Sequence, residues 1–109
     1  MAYDPALADR IRARLGEHPV LVERQMFGGI GFMVGGNMAV GVVGDELMVR
    51  VGPQGHDEAI ALPGAHEFDT TGRPSRGWLL VSPTGLATDA DFAGWVDRGL
   101  AYAESLPPK

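Results

Sequence analysis

Apolar side chains at helical spacing predict a short helix near the start of the chain. Leu7, Ile11 and Leu15 recur at i, i+4 and i+8, which places them on one stripe of a helix. Asp4 precedes this stripe with a side chain suited to an N-cap. Gly16 follows it and can adopt the left-handed conformation that commonly ends a helix.

A second helix is predicted close to the end of the chain. The apolar positions that share one of its faces are Phe92, Trp95, Val96, Leu100 and Ala103. Thr88 can serve as its N-cap, with the carboxylate of Asp91 three residues later, as in a capping box. Pro107 and Pro108 stop the helix, because proline cannot continue it.

Between these helices the apolar positions alternate, which is the period of a β-strand. The dipeptides Gly35-Gly36 and Gly44-Asp45 suit two-residue hairpin turns, since such turns require positive φ angles. The pairs expected from these turns are Val34–Asn37, Met33–Met38, Phe32–Ala39, Val43–Glu46, Val42–Leu47, Val40–Val49 and Met38–Val51. The pattern therefore predicts a three-stranded antiparallel meander.

This register predicts two different faces. The core face, expected beneath helices, comprises Met33, Met38, Val40, Val42, Leu47, Val49 and Val51. The other face comprises Ile30, Phe32, Ala39, Gly41, Met48 and Arg50. It is too apolar for a plain solvent face, and its two small residues predict a shallow trough beside the arginine. We expect a subunit, a loop or a ligand to cover it.

The remaining segments complete an α+β fold. A further strand is indicated over residues 20–27, a short helix over 54–62, and two more strands over 66–69 and 78–81. A loop rich in turn residues spans 69–77. We therefore predict a single α+β domain of residues 1–109 with an antiparallel sheet.

Composition narrows the class of protein. The chain has 109 residues, no cysteine and a net charge of −5, and eight of its nine basic residues are arginine. The absence of cysteine excludes disulfides and thiolate chemistry. No apolar run approaches the roughly 20 residues of a membrane-spanning helix. The first residues do not resemble a secretory signal, so we expect a cytoplasmic protein without membrane contact. Binding of nucleic acid would need a local basic patch.

The usual signatures of catalysis and metal binding are weak. Gly28 to Gly31 resemble a phosphate-binding run, but a strand follows where a helix is required, so a bend is the better interpretation. His18, His56 and His66 lack metal-ligand spacing. No serine lies in a nucleophile elbow, and no carboxylate pair lies in an apolar strand. We expect no catalytic residue, metal or cofactor.

The strongest local feature is the loop over residues 72–78. Arg73 and Arg76 flank a proline and are followed by Trp78. Guanidinium groups in a stiff loop suit carboxylates, phosphates or an acidic partner surface. The structural alternative is that these arginines bind loop carbonyls or pair with Glu67 and Asp69.

Four segments carry a resemblance to a known family. They are RQMFGGIGFM at 24–33, GNMA at 36–39, LMVRVG at 47–52 and GRPSRGW at 72–78. From Tyr3 to Pro107 the chain resembles the TfoX/Sxy N-terminal domain. The resemblance implies a two-layer, secretion-chaperone-like domain of order α-β-β-β-α-β-β-α. It also implies a regulator of competence genes that acts with the cyclic-AMP receptor protein, and it supplies no catalytic residues.

These observations lead to one predicted function and two alternatives. We expect a non-enzymatic regulatory or adaptor domain that binds a protein partner, such as transcription machinery, and forms a homodimer. The residues expected to bind the partner or an anion are Met26, Phe27, Phe32, Met48, Arg50, Arg73, Arg76 and Trp78. The alternatives are nucleic-acid binding through a local arginine patch and binding of a small anion.

Overall fold

The computed structural model describes residues 3–16, 21–26, 29–69 and 74–107. Within them the chain forms three α-helices, six strands and one 3₁₀ turn. In chain order these are α1 (Pro5–Leu15), β1 (Leu21–Met26), β2 (Gly29–Val34), β3 (Asn37–Val43), β4 (Glu46–Arg50), α2 (His56–Ile60), β5 (Ala65–Asp69), β6 (Pro74–Val81), the 3₁₀ turn (Pro83–Leu86) and α3 (Asp89–Ser105). The fold is α+β, as predicted. The strand indicated over residues 20–27 is present as β1, so four strands precede α2, one more than in the order that the resemblance implies.

The two long helices begin and end where the sequence predicts. The Asp4 carboxylate accepts a hydrogen bond from the Ala6 N–H at 2.9 Å, and Gly16 ends α1 with a φ of 59°. The Thr88 hydroxyl caps α3 by accepting from the Asp91 N–H at 3.1 Å. These local signals suffice because each involves neighbours along the chain.

The six strands form one antiparallel sheet in the order β1-β2-β3-β4-β6-β5. Gly35 and Gly36 have positive φ angles in the β2–β3 turn, and Gly44 has one in the β3–β4 turn. The predicted pairs Val34–Asn37 and Met33–Met38 are confirmed, as are three of the four predicted pairs of β3 with β4. The fourth, Met38–Val51, is wrong, because this ladder ends at Val40–Val49.

A second predicted pair, Phe32–Ala39, is also wrong, and this error changes which residues face the core. Phe32 pairs with Val40 and not with Ala39, because a β-bulge gives β3 one extra residue after Met38. The prediction that Ile30, Phe32 and Ala39 lie opposite the core is therefore incorrect. All three are buried on the helix side, and Ile30 and Phe32 are part of the main core. Met33 and Met38, both predicted on the core face, lie opposite each other on the other side of the sheet, where Met33 is half-buried and Met38 is buried.

The three helices cover one face of the sheet. The core joins side chains from all of them to those of the sheet, with Leu7 and Ile11 from α1, Ala59 from α2, and Trp95 and Val96 from α3. Alternation along the strands assigns Val22, Arg24, Met33, Met38, Gly41, Met48, Arg50, Trp78 and Leu80 to the opposite side, called here the far face. No helix among the described residues is long and apolar enough to cross a membrane.

A bidentate ion pair joins α1 to the edge strand β1. The Arg12 guanidinium donates to both carboxylate oxygens of Glu23, at 2.8 and 2.9 Å, and also to Asp9 at 2.7 Å. The hydrogen bonds from Arg12 hold the pKa of Glu23 below its usual range. This pair confirms that Glu23 lies on the helix side of β1.

Candidate binding site

Arg50 and Trp78 are brought together by strand pairing. They are direct partners between β4 and β6, and the Arg50 guanidinium carbon lies 5.1 Å from the centroid of the indole ring. Because Arg50 is the last residue of β4, its long side chain reaches past the end of the strand, and the same guanidinium lies 5.3 Å from the ring of Tyr102 on α3. All three residues are half-buried. We call this arrangement of Arg50, Trp78 and Tyr102 the arginine corner.

Glycines at the ends of β4 and β6 make the arginine corner possible. Gly52 has a φ of 82° and Gly77 a φ of 93°, conformations that other residues rarely adopt. The N–H groups of Val51 and Gly52 both donate to the Gly77 carbonyl, at 2.8 and 3.1 Å. A Cβ on Gly52 would overlap the Tyr102 ring, so the missing side chain lets this tyrosine approach.

Arg50 differs from the arginines of helices α1 and α3. Arg12, Arg14 and Arg98 each pair with a carboxylate. Among the described residues no carboxylate pairs with Arg50. Its guanidinium instead contacts the aromatic rings of Trp78 and Tyr102. Aromatic contacts attract and orient a guanidinium, but they leave its N–H groups available for a carboxylate or phosphate.

Two other predicted residues are buried and do not reach a surface. The exposed fraction is 0% for Phe32 and 4% for Met48. Phe32 packs beneath α1, with the Arg12 guanidinium 6.0 Å from its ring. The buried positions of these two residues show that they contribute to folding in this conformation and not to a contact surface.

The predicted trough beside Arg50 is not present. Ala39 faces α3, and the methyl groups of Met38 and Met48 fill the space above Gly41. A Cβ on Gly41 would lie 2.9 and 3.0 Å from those two methyl carbons. Flexible methionine side chains thus occupy the space that the missing glycine side chain leaves.

The remaining predicted residues fall partly outside the described part of the chain. Phe27 and Arg73 lie outside the described residues. The backbones of Met26 and Arg76 belong to β1 and β6, and their side chains are not among those described. The loop predicted over residues 69–77 is therefore wrong from Pro74 onward, where β6 begins. The structure therefore supports Arg50 and Trp78 as neighbours and adds Tyr102. Sequence reasoning missed Tyr102 because it lies off the apolar stripe of α3 and meets Arg50 only through the fold.

His56 is a buried polar residue that joins three elements. Its exposed fraction is 4%, and its Nδ1 accepts a hydrogen bond from the Gly77 N–H at 2.9 Å. Because Nδ1 is an acceptor, the proton of the neutral ring is on Nε2, which donates to the Glu67 carboxylate at 3.0 Å. Both ring nitrogens are thus used within the fold, which assigns His56 a structural role between α2, β5 and β6.

Two clefts lie elsewhere on the surface of the described residues. One of about 190 Å³ lies beside α3 and is lined by Leu62, Pro63, Trp95 and Arg98, among others. The second, of about 480 Å³, is open and surrounds Arg10. Among the described residues no three histidine, aspartate or glutamate side chains form a group that could hold a metal ion.

The fold and the corner define a small two-layer α+β domain whose most distinctive surface group is a stacked arginine. The TfoX N-terminal domain model matches residues 13–103, which is most of the chain. The chain belongs to the TfoX N-terminal domain family, as its four motif segments suggested, and membership supports a regulatory domain of that type. No curated protein matches the sequence significantly.

Proposed function

We propose that this protein is a non-enzymatic regulatory or adaptor domain that acts in the cytoplasm by binding another protein through the arginine corner. One observation carries the proposal: Arg50 is held between two aromatic rings and has no carboxylate partner among the described residues. Arginine, tryptophan and tyrosine are the residue types that most often dominate protein interfaces. The expected partner supplies a carboxylate to Arg50 and apolar surface to Trp78 and Tyr102.

The ring contacts prepare Arg50 for such an interaction. A free arginine side chain loses rotational freedom when it binds, and stacking removes part of that loss beforehand. A guanidinium that is fixed in a plane can form two parallel hydrogen bonds to one carboxylate. Lysine would keep the positive charge and lose this two-point geometry.

The same geometry suits two further ligands. Because the guanidinium fork also matches phosphate, a small anion is the second candidate, supported by the same unpaired Arg50. Nucleic acid is a third, but the net charge of −5 opposes it beyond the local patch. We propose that Arg73 and Arg76 extend the site for each of the three ligands: the protein partner, the small anion and the nucleic acid.

The test compares capture of partners from host cells by the tagged native chain and by three variants. Arg50→Ala and Arg50→Lys remove the fork, whereas Arg14→Ala removes an exposed arginine that pairs with Asp97 at 2.6 Å. A partner captured by the native chain is then purified and its affinity measured. Loss of a central interface arginine is expected to weaken binding about 30-fold or more. We expect Arg14→Ala to bind as the native chain does, and Arg76→Ala to behave as Arg50→Ala does.

Melting temperatures separate a binding role from a structural role. Arg50→Ala removes two cation–π contacts worth about 1 kcal/mol each at most, so the fold should survive with a small decrease. Collapse of the fold in this variant would instead identify Arg50 as a structural tie. Binding to duplex DNA that falls steeply with salt would favour the nucleic-acid function. A rise in melting temperature with a small anion alone would favour the second candidate.

A further inference from the structure

The edge strand β1 is exposed from Val22 to Gln25. It is the first strand of the sheet and pairs with β2 on one side, and no other strand among the described residues pairs with its outer edge. Val22, with 53% of its surface exposed, is the one exposed large hydrophobic residue among the described side chains. An edge of this kind offers unpaired N–H and C=O groups to another strand.

We propose that β1 pairs antiparallel with β1 of a second copy of this chain, so that one continuous sheet runs through a two-fold dimer. The inference specifies the interface of the homodimer, which belongs to the predicted function, and it does not depend on the arginine corner. β1 has an unbroken register with β2 and contains no proline, so no bulge or missing donor prevents the pairing.

Symmetry limits the possible registers. A two-fold axis between antiparallel strands runs perpendicular to the sheet and keeps the helices of both copies on the same side. Directly opposed residues point to the same face. Each far-face residue of β1, Val22 or Arg24, must therefore oppose a far-face residue of the other copy. Glu23, on the helix side, must oppose a helix-side residue.

Repulsion between like charges and the number of paired residues favour one of the registers that symmetry allows. If Arg24 opposed itself, two like charges would meet directly, and the described residues supply neither with a carboxylate. If Val22 opposed itself, only three residues of β1 would pair with β1 of the other copy. If Glu23 opposes itself, five residues pair, and Val22 lies opposite Arg24, whose aliphatic stem can cover it.

The ion pair with α1 makes this central position acceptable. Each Glu23 carboxylate is already bound at both oxygens by Arg12 of its own chain. The two carboxylates would therefore meet as part of a balanced cluster of two glutamates and two arginines. An unpaired glutamate at the same position would repel its copy.

Single cysteine variants test the register, because the native chain has no cysteine. Glu23→Cys places two thiols opposite each other with Cα atoms about 4.5–5.5 Å apart, a distance that a disulfide spans. Gln25→Cys is the matched control on the same strand and face. Two residues 25 would lie four positions apart along the strands, about 14 Å, which is too far for a disulfide.

With mild copper–phenanthroline oxidation we expect the Glu23→Cys chain to become a covalent dimer and the Gln25→Cys chain to remain uncrosslinked. Since Glu23→Cys also removes the ion pair, the double variant Val22→Cys/Arg24→Cys provides a second test and should crosslink as well. Equal crosslinking of both single variants would overturn the register. A native chain that is monomeric by native mass spectrometry, or dimeric with neither Glu23→Cys nor the double variant crosslinking, would overturn the proposal. Partner binding that depends on Arg50 would leave the proposed function standing whether or not the Glu23→Cys chain crosslinks. A Glu23→Cys chain that crosslinks would leave the proposed dimer standing even if Arg50→Ala bound the partner as the native chain does.

Discussion

Replacing Gly99 by alanine tests the close approach of α3 to the bulged strand. A Cβ on Gly99 would lie under 3.0 Å from the Ala39 carbonyl oxygen and 2.8 Å from a methyl carbon of Val40, closer than Cβ atoms come in folded proteins. The carbonyl belongs to the bulge and cannot turn away as a side chain could. The helix must therefore move outward, which loosens the contacts of Val96 and Ala103 on either side.

The expected size of the effect combines two opposing terms. Adding a methyl group to a packed interface costs about 1–3 kcal/mol, and a clash with backbone belongs at the upper end. Alanine is more favourable than glycine within a helix by about 1 kcal/mol. The net loss is therefore about 2 kcal/mol of unfolding free energy, or a decrease of about 10 °C in Tm for a domain of this size.

Gly94 supplies a matched control in the same helix. A Cβ at this position meets nothing within 4 Å, so only the helix-forming preference acts. Gly94→Ala is expected to raise the free energy of unfolding by about 1 kcal/mol. Urea unfolding followed by circular dichroism and tryptophan fluorescence measures both variants against the native chain.

The reasoning would be refuted by a Gly99→Ala variant as stable as Gly94→Ala. That outcome would mean that α3 does not contact the Ala39 carbonyl and that the bulge is not fixed by this helix. Opposite signs for the same substitution in one helix cannot arise from helix preference alone. Equal destabilisation in both variants would likewise contradict the open space beside Gly94.

Two further substitutions, and one control substitution, test polar contacts. Because the hydrogen bonds from Arg12 lower the folded-state pKa of Glu23, the stability from this pair is present above its unfolded value of about 4.3 and is lost as pH falls through the lower folded value. Glu23→Gln should therefore flatten the acid limb of a plot of unfolding free energy against pH, and an unchanged slope would contradict the pair. His56→Ala leaves the Gly77 N–H without its acceptor and opens a cavity, so denaturant unfolding should show a loss of about 2–4 kcal/mol. His66→Ala, at an exposed histidine that pairs with Glu46, should change stability by at most about 1 kcal/mol, and equal losses would contradict the buried role of His56.

Features that depend on neighbours along the chain were predictable from the sequence. The capping side chains, the glycine turns and the apolar stripes each contain their own cause within a few residues. Two arginine-corner residues, Arg50 and Trp78, were also predicted as members of a site, because an arginine in an apolar strand and a tryptophan beside a glycine are conspicuous. Their direct pairing was not predicted, since β4 and β6 are separated in the chain by α2 and β5.

The assignment of sheet faces failed at one point. Counting by two from the β2–β3 turn is correct only while the ladder is regular, and the bulge at Ala39 breaks it. After the bulge, Phe32 and Ile30 face the core, although their spacing from the turn indicated the opposite. The residues next to Ala39 in the sequence do not predict a bulge. The contact at the bulge comes from Gly99 of α3, which lies in a distant part of the chain.

The sequence by itself determined the class of fold, the ends of the helices, the positions of the turns and the family. Only the tertiary structure decided which face of β2 is buried, that His56 joins α2 to two strands, and that Tyr102 completes the contacts of Arg50. The physical reason is the range of the interactions. Caps and turns are satisfied within one turn of chain, whereas a bulge, a buried hydrogen bond and a stacked arginine depend on distant segments that meet only after folding.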